Sequence, residues 1–172
     1  MSLRKTIAVV ASAAALSVGL IGTAEAAPRV ITYNSSGAAE FVAAVDAGAN
    51  VWNTQLPNTL NLRKVTGPAH VTIVADNGWP RAQTTSLGRG RIWMGRLAVN
   101  EGHDTIRIAA HELGHILGLP DRRTGLCTDL MSGASAGTSC KNPNPNAAEK
   151  AQVVRNFGRT VTVKAETFQD AA

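Results

Sequence analysis

A domain of the α+β class is expected, in which a twisted mixed sheet carries a long N-terminal helix, a second helix rich in histidine and a C-terminal helix. Three observations point there. Apolar residues recur at helical spacing in residues 38–53, 104–117 and 147–157; short runs between the first two helices have strand character; and a segment dense in Gly, Ser, Asn and Pro separates the last two.

Residues 29–33 make a short first strand. Ser35, Ser36 and Gly37 then give a helix-start signal, and Phe41, Val45, Ala49 and Trp52 line the buried face of the helix that follows. Residues 60–65 and 70–76 read as the next two strands, with Gly67-Pro68 as the turn between them. Residues 91–100 supply one or two more, broken at Gly95. The sheet precedes a helix capped by Asp104, which buries Ile106, Ala109, Leu113 and Leu117 and turns its histidines to the other side. Beyond residue 121 the chain is irregular as far as Asn146, which caps a last helix stopped at Gly158. Val161 and Val163 alternate with threonine, so residues 159–172 form either one more strand or a frayed end.

The first 26 residues stand apart from this domain. Arg4 and Lys5 lead into an alanine-rich apolar stretch over residues 7–21, and Ala24-Glu25-Ala26 places small residues where a signal peptidase reads them. An export signal removed near Ala26 is expected. The stretch is short for a membrane span and no later segment is apolar enough, so a secreted chain without a membrane anchor follows. Removal leaves 146 residues, which is one domain over 27–158 with a tail, and a monomer is expected. It also leaves 15 basic and 11 acidic residues, a net charge of +4. The basic residues are scattered and few aromatics accompany them, so nucleic acid is not a partner that this composition supports.

Two cysteines, Cys127 and Cys140, bracket the irregular segment around Met131. In an exported chain a disulfide is expected; metal ligation by the pair is the alternative, which a twelve-residue gap without Cys-x-x-Cys disfavours. A bridge would close a loop worth roughly 3 kcal/mol in chain entropy.

The chemistry is concentrated in His111-Glu112-Leu113-Gly114-His115-Ile116-Leu117-Gly118-Leu119-Pro120-Asp121. Four residues apart on a helix, His111 and His115 project from one face toward one ion. Glu112, one residue along, is placed to take a proton from water at that ion. Gly118 lets the chain leave the helix in a left-handed conformation, Pro120 stops the helix from resuming, and the turn can bring Asp121 back as a third ligand. A zinc-dependent peptide hydrolase is the leading reading, and a surface helix carrying two histidines is the bland one.

These eleven residues resemble the zinc signature of the metzincin clan of metallopeptidases, whose usual third ligand is a histidine where this chain has Asp121. Aspartate there, with Cys-Thr-Asp-Leu-Met-Ser-Gly at 127–133 and Asn-Pro-Asn-Pro-Asn-Ala at 142–147, is similar to the snapalysin family of small secreted neutral proteases of Streptomyces. The resemblance covers residues 29–158 and implies a metzincin-like zinc protease domain. It implies zinc on His111, His115 and Asp121, Glu112 as general base, Met131 in a turn beneath the metal, and peptide or protein substrates with an aromatic residue just after the cleaved bond. It also implies an extended substrate paired with an edge strand before the zinc helix, here Arg91, Ile92, Trp93 and Met94, beside a bulge-like Gly88-Arg89-Gly90. A calcium ion could sit at Asp104 and the backbone carbonyl of Ile106, although Asp104 as a plain helix cap explains that residue as well. Two tyrosines seen in relatives are absent: Gly133 and Arg123 stand in their places, and Arg123 reads as a solvated surface residue.

Three alternatives remain beside this reading: a secreted binding or inhibitory protein with structural zinc, a zinc hydrolase of cell-wall peptides, and a thermolysin-like site with Glu149 as third ligand. Few residues separate Ala26 from the first strand, so activity directly after export, without a second cut, is expected.

Overall fold

The computed structural model describes residues 27–158 and 165–169. Residues 1–26, read as an export signal, and the alternation at Val161 and Val163 lie outside the described residues.

A six-stranded sheet in the order β2-β1-β3-β5-β4-β6 forms the body. Strands β1 (Arg29–Gly37), β2 (Leu60–Lys64), β3 (Val71–Asp76) and β5 (Arg89–Gly95) run parallel, while β4 (Arg81–Ser86) runs antiparallel to β5 on one side and to β6 (Glu166–Gln169) on the other. Helix α1 (Val42–Gln55), entered through a short 3-10 turn at Ala39–Phe41, crosses from β1 to β2. A parallel pair needs such a crossover. Phe41, Val45, Ala49 and Trp52 are buried, as their spacing predicts.

Helix α3 (Thr105–Ile116) packs against α1, and the two backbones approach closely at Gly48. A Cβ there would lie 2.8 Å from the Ala110 nitrogen and 2.9 Å from the Ala109 Cβ. Trp52, fully buried, donates its indole N–H to the Ala110 carbonyl at 2.9 Å. Residues 107–116 of α3 are buried on every side, so the helix is the centre of the domain rather than an amphipathic cover. Ile106, expected in the core, is only half-buried at its start.

Two strand expectations need correction. Residues 96–100, read as strand, form a short helix α2 (Arg96–Asn100), because a short apolar run such as Leu97-Ala98-Val99 carries no periodicity that separates strand from helix. Strand β4 was not anticipated. Its Arg-Ala-Gln-Thr-Thr-Ser sequence turns only Ala82 and Thr84 inward. Its presence removes β5 from the sheet edge: Arg91, Ile92 and Trp93 pair with β3 and β4 on their two sides, Met94 pairs with β3, and Ile92 and Met94 are core residues. The irregularity expected near Gly88 to Gly90 is found as a register shift in the β4–β5 pair, with the extra residue in β4 between Thr84 and Ser86.

Helix α4 (Ala147–Gly158) closes the domain, packing Val153 into the core.

Candidate metal centre

Asp104 caps α3: its Oδ1 accepts from the backbone N–H groups of Ile106 and Arg107 at 3.1 and 2.9 Å, which satisfies two of the helix's orphan donors. At the other end the helix stops in a Schellman turn. Gly118, at φ +86°, donates to the His115 carbonyl at 2.9 Å, and Leu119 donates to the Gly114 carbonyl at 3.0 Å. Asn156 on α4 fixes this exit by donating to the carbonyls of Leu117 and Gly118 at 3.0 and 3.2 Å. The turn carries the chain through Pro120 and brings Asp121 back against the helix.

One ligand atom from each of His111, His115 and Asp121 lies within 4.8 Å of the others, and among the described residues this is the one such group of three metal-ligating side chains. The two Nε2 atoms are 3.1 Å apart. Asp121 Oδ1 is 3.3 Å from Nε2 of His111 and 3.5 Å from Nε2 of His115. The imidazoles are fully enclosed, whereas Asp121 keeps 22% of its side chain exposed.

The tautomers are fixed from behind. His111 Nδ1 lies 3.1 Å from the Leu130 carbonyl and His115 Nδ1 lies 2.8 Å from the Leu119 carbonyl. A carbonyl only accepts, so each Nδ1 carries the proton and each Nε2 is left with a lone pair. Burial foremost, then the charge of His111, push the His115 imidazole down to about 3 against the opposing pull of Asp121, so this ring is neutral near pH 7. Two neutral nitrogen lone pairs facing each other beside a carboxylate repel unless a cation lies between them. The donor set therefore fits zinc: two imidazole nitrogens and one carboxylate oxygen, with the outer nitrogens held by backbone carbonyls.

Met131 lies in the turn that supports this helix. Residues Leu130–Ala136 form a 3-10 segment interrupted at Gly133 (φ 58°, ψ −139°). Gly114, between the two histidines, leaves the notch into which Met131 packs: a Cβ there would stand 2.7 Å from the Met131 sulfur. Arg122 donates its backbone N–H to the Met131 carbonyl at 2.8 Å, which ties the segment after Asp121 to the same turn.

Two clamps that the sequence reading missed hold the irregular segment. Arg107, almost fully buried, donates to the carbonyls of Asn142 and Asp129 at 2.5 and 2.7 Å and reaches those of Cys127 and Leu130 at 3.4 Å. Glu149, also buried, accepts from the backbone N–H groups of Leu130, Met131 and Asn146 at 3.2, 2.8 and 2.7 Å. It also forms a capping box with Asn146, whose Oδ1 accepts the Glu149 N–H at 2.9 Å. Glu149 is thus a structural bracket under the methionine turn, outside the metal-ligating group, and the thermolysin-like alternative fails on that placement. The Cys127–Cys140 disulfide is formed, with Cα atoms 5.4 Å apart, so neither sulfur is free to bind a metal.

Glu112 is completely buried beside His111, with both carboxylate oxygens shielded from solvent. Arg123 is not a free surface residue: its Nη2 lies 3.5 Å from Asp121 Oδ2 and donates to the Gln169 carbonyl at 3.0 Å. Phe168 on β6 stacks on the His115 ring with centroids 4.1 Å apart and planes 6° from parallel.

Fold and site together define a mixed α/β domain built around a buried His-His-Asp group suited to a zinc ion. The sequence pattern of the Streptomyces extracellular neutral proteinase (M7) family matches residues 29–159, and the chain belongs to that family. It is 40% identical over 125 residues to the extracellular small neutral protease of Streptomyces caespitosus, a match covering 72% of this chain and 92% of that protein. With the extracellular small neutral protease of Streptomyces sp. (strain C5) it shares 39% identity over 127 residues, 72% of this chain and 54% of that protein. The chain thus spans about half the length of the strain C5 relative. Among solved structures it is similar to archaemetzincin from Methanopyrus kandleri, with a TM-score of 0.49 and 14% identity over 81% of this chain and 100% of that one.

Proposed function

We propose that this chain is an extracellular zinc metalloendopeptidase, exported by removal of residues 1–26 and acting through the single domain over 27–158. The observation that carries the reading is the pair of Nε2 lone pairs, 3.1 Å apart and facing Asp121, with each Nδ1 held by a backbone carbonyl. His111, His115 and Asp121 would hold zinc. Bound there, zinc supplies a Lewis acid that polarises a peptide carbonyl and makes water a stronger acid.

The chain's own residues do the rest. The Leu119 and Leu130 carbonyls keep the imidazoles in the ligating tautomer. Glu112 takes the proton from the attacking water and passes it to the departing amine. Its burial strengthens its interaction with nearby charge and keeps bulk water from competing for the proton. The substrate edge is assigned to β4 rather than to residues 91–94, because β4 is the strand outside β5, α3 packs against it, and its outer side is taken only by the short β6. An extended peptide pairing there through its backbone gives tolerance of sequence, as in β-strand addition. A preference for an aromatic residue just after the cleaved bond comes from the family likeness. The Asp104 carboxylate already caps α3, so calcium at Asp104 and Ile106 is not part of the proposal.

The test is cleavage of an unstructured protein by the zinc-loaded chain and by Glu112→Gln, with cut sites mapped by mass spectrometry. Glu112→Gln should keep zinc and lose about 10² to 10⁴ in rate, roughly 3 to 5 kcal/mol. Less than a tenfold loss at full zinc occupancy would remove Glu112 from its role, and chelator-insensitive cleavage would end the reading.

A further inference from the structure

The segment Glu166–Gln169 lies against the metal centre on the side of His115 and Asp121. It is held there by four sets of contacts. Its backbone pairs antiparallel with β4, in the register Arg81↔Gln169, Ala82↔Phe168, Gln83↔Thr167 and Thr84↔Glu166. The buried Thr84 hydroxyl accepts the Glu166 N–H at 3.2 Å and donates to the Glu166 carbonyl at 3.3 Å. Phe168 covers the ring of His115, and the Arg123 guanidinium joins Asp121 to the Gln169 carbonyl. Two of the three metal-ligating side chains thus touch this segment directly or through Arg123. The family pattern ends at residue 159, before the segment begins.

We propose that Glu166–Gln169 is a built-in competitive plug. It takes the β4 edge where a peptide substrate would pair and shields His115, so the full chain is held in a low-activity form until the segment is displaced or trimmed. The substrate part of this inference rests on the peptidase reading above. Four paired residues and one ring stack make a weak ligand in isolation. Attached to the same chain they act at an effective concentration on the order of millimolar, which suffices against dilute substrate. The plug also runs against the expectation of full activity straight after export.

Two substitutions in the full exported chain loosen the plug without touching the domain. Thr167→Pro removes a backbone N–H and fixes φ within the paired segment, and Phe168→Ala removes the ring from His115. Both should raise kcat/KM at least tenfold, through a lower KM, with kcat changing less than twofold. Hydrogen exchange gives a readout independent of hydrolysis: β4 amides facing the segment should be protected in the parent chain and exchange faster in Thr167→Pro. A free peptide with the sequence of residues 165–172 should bind the zinc-loaded Thr167→Pro chain and fail to bind the parent. Unchanged exchange, equal peptide binding to both chains, or faster exchange with unchanged kcat/KM in a chain that cleaves would each overturn the plug. If no chain cleaves peptide while exchange and peptide binding change as expected, the plug stands and the peptidase reading falls.

Discussion

Truncating Glu149 to alanine separates a ligand from a bracket. The carboxylate is 3% exposed and accepts three backbone N–H groups, from Leu130, Met131 and Asn146. Leu130 and Met131 are core residues whose N–H groups lose their partner when the carboxylate goes, and the cavity lined by Glu149 and Met131 lets water offset only part of that loss. Each buried donor left unmade costs about 1–3 kcal/mol. The Asn146 N–H is partly exposed and water can replace its partner, although the reciprocal half of the capping box loses its support. Together these give a loss of roughly 3 to 5 kcal/mol, a large share of the ~5–15 kcal/mol that holds a domain folded. At about 2–4 °C per kcal/mol for a chain of this size, the melting temperature falls by roughly 6 to 20 °C. The assay is urea unfolding of the metal-free, disulfide-intact chain. Metal-free conditions matter, because a metal ligand would show its loss only with zinc bound. A loss under 1 kcal/mol without metal, joined to a collapse of zinc affinity, would refute the bracket and restore Glu149 as a ligand.

Asp121→Ala should leave the metal-free fold close to its parent stability and reduce zinc affinity by more than the 10–100-fold typical of losing an outer partner, measured by competition with a chromophoric chelator. Retained affinity would show that the third donor comes from elsewhere. Gly48→Ala should destabilise the chain by about 1–2 kcal/mol in thermal unfolding. The new Cβ meets the α3 backbone at 2.8 Å, and the ~1 kcal/mol helix-propensity gain over glycine offsets only part of that overpacking. A net stabilisation would mean that α1 can move off α3 without cost.

What the sequence made legible follows where local pattern and tertiary role coincide. Phe41, Val45, Ala49 and Trp52 have helical spacing and one buried face, so α1 could be read directly. The His111–His115 spacing and the Gly118–Pro120 exit are local rules, and the structure brings those donors and Asp121 together. Strand β4 has no such signature. Ala82 and Thr84 are its only inward side chains, and its pairing is set by a hairpin whose β5 side carries Gly88 and Gly90. Missing β4 is why residues 91–94 were read as an edge strand. Arg107 and Glu149 were missed for another reason: nothing adjacent in sequence announces that a charged residue on a helix will turn inward to satisfy backbone groups 18 to 35 residues away.

Those two residues explain how a segment with little apolar burial supports a rigid site. Between Cys127 and Asn146 the chain has a single short 3-10 segment, so many of its carbonyls and N–H groups lack ladder partners. Arg107 collects the carbonyls with its planar fork of donors, and Glu149 collects the N–H groups of Leu130 and Met131 in the same turn. Lysine could not replace that fork, because a single ammonium cannot span carbonyls contributed by Asp129 and Asn142. The disulfide closes the loop between them. Leu130 stands at the meeting point of both clamps: its N–H goes to Glu149, while its carbonyl is within reach of Arg107 and accepts the His111 Nδ1 proton. The orientation of a metal-ligating imidazole is therefore set by the polar clamps on a loop, and loosening either clamp frees the ring to turn its lone pair away from Asp121. Metal affinity and loop stability are then two readings of one equilibrium, because zinc bound only to the clamped state stabilises the loop by mass action.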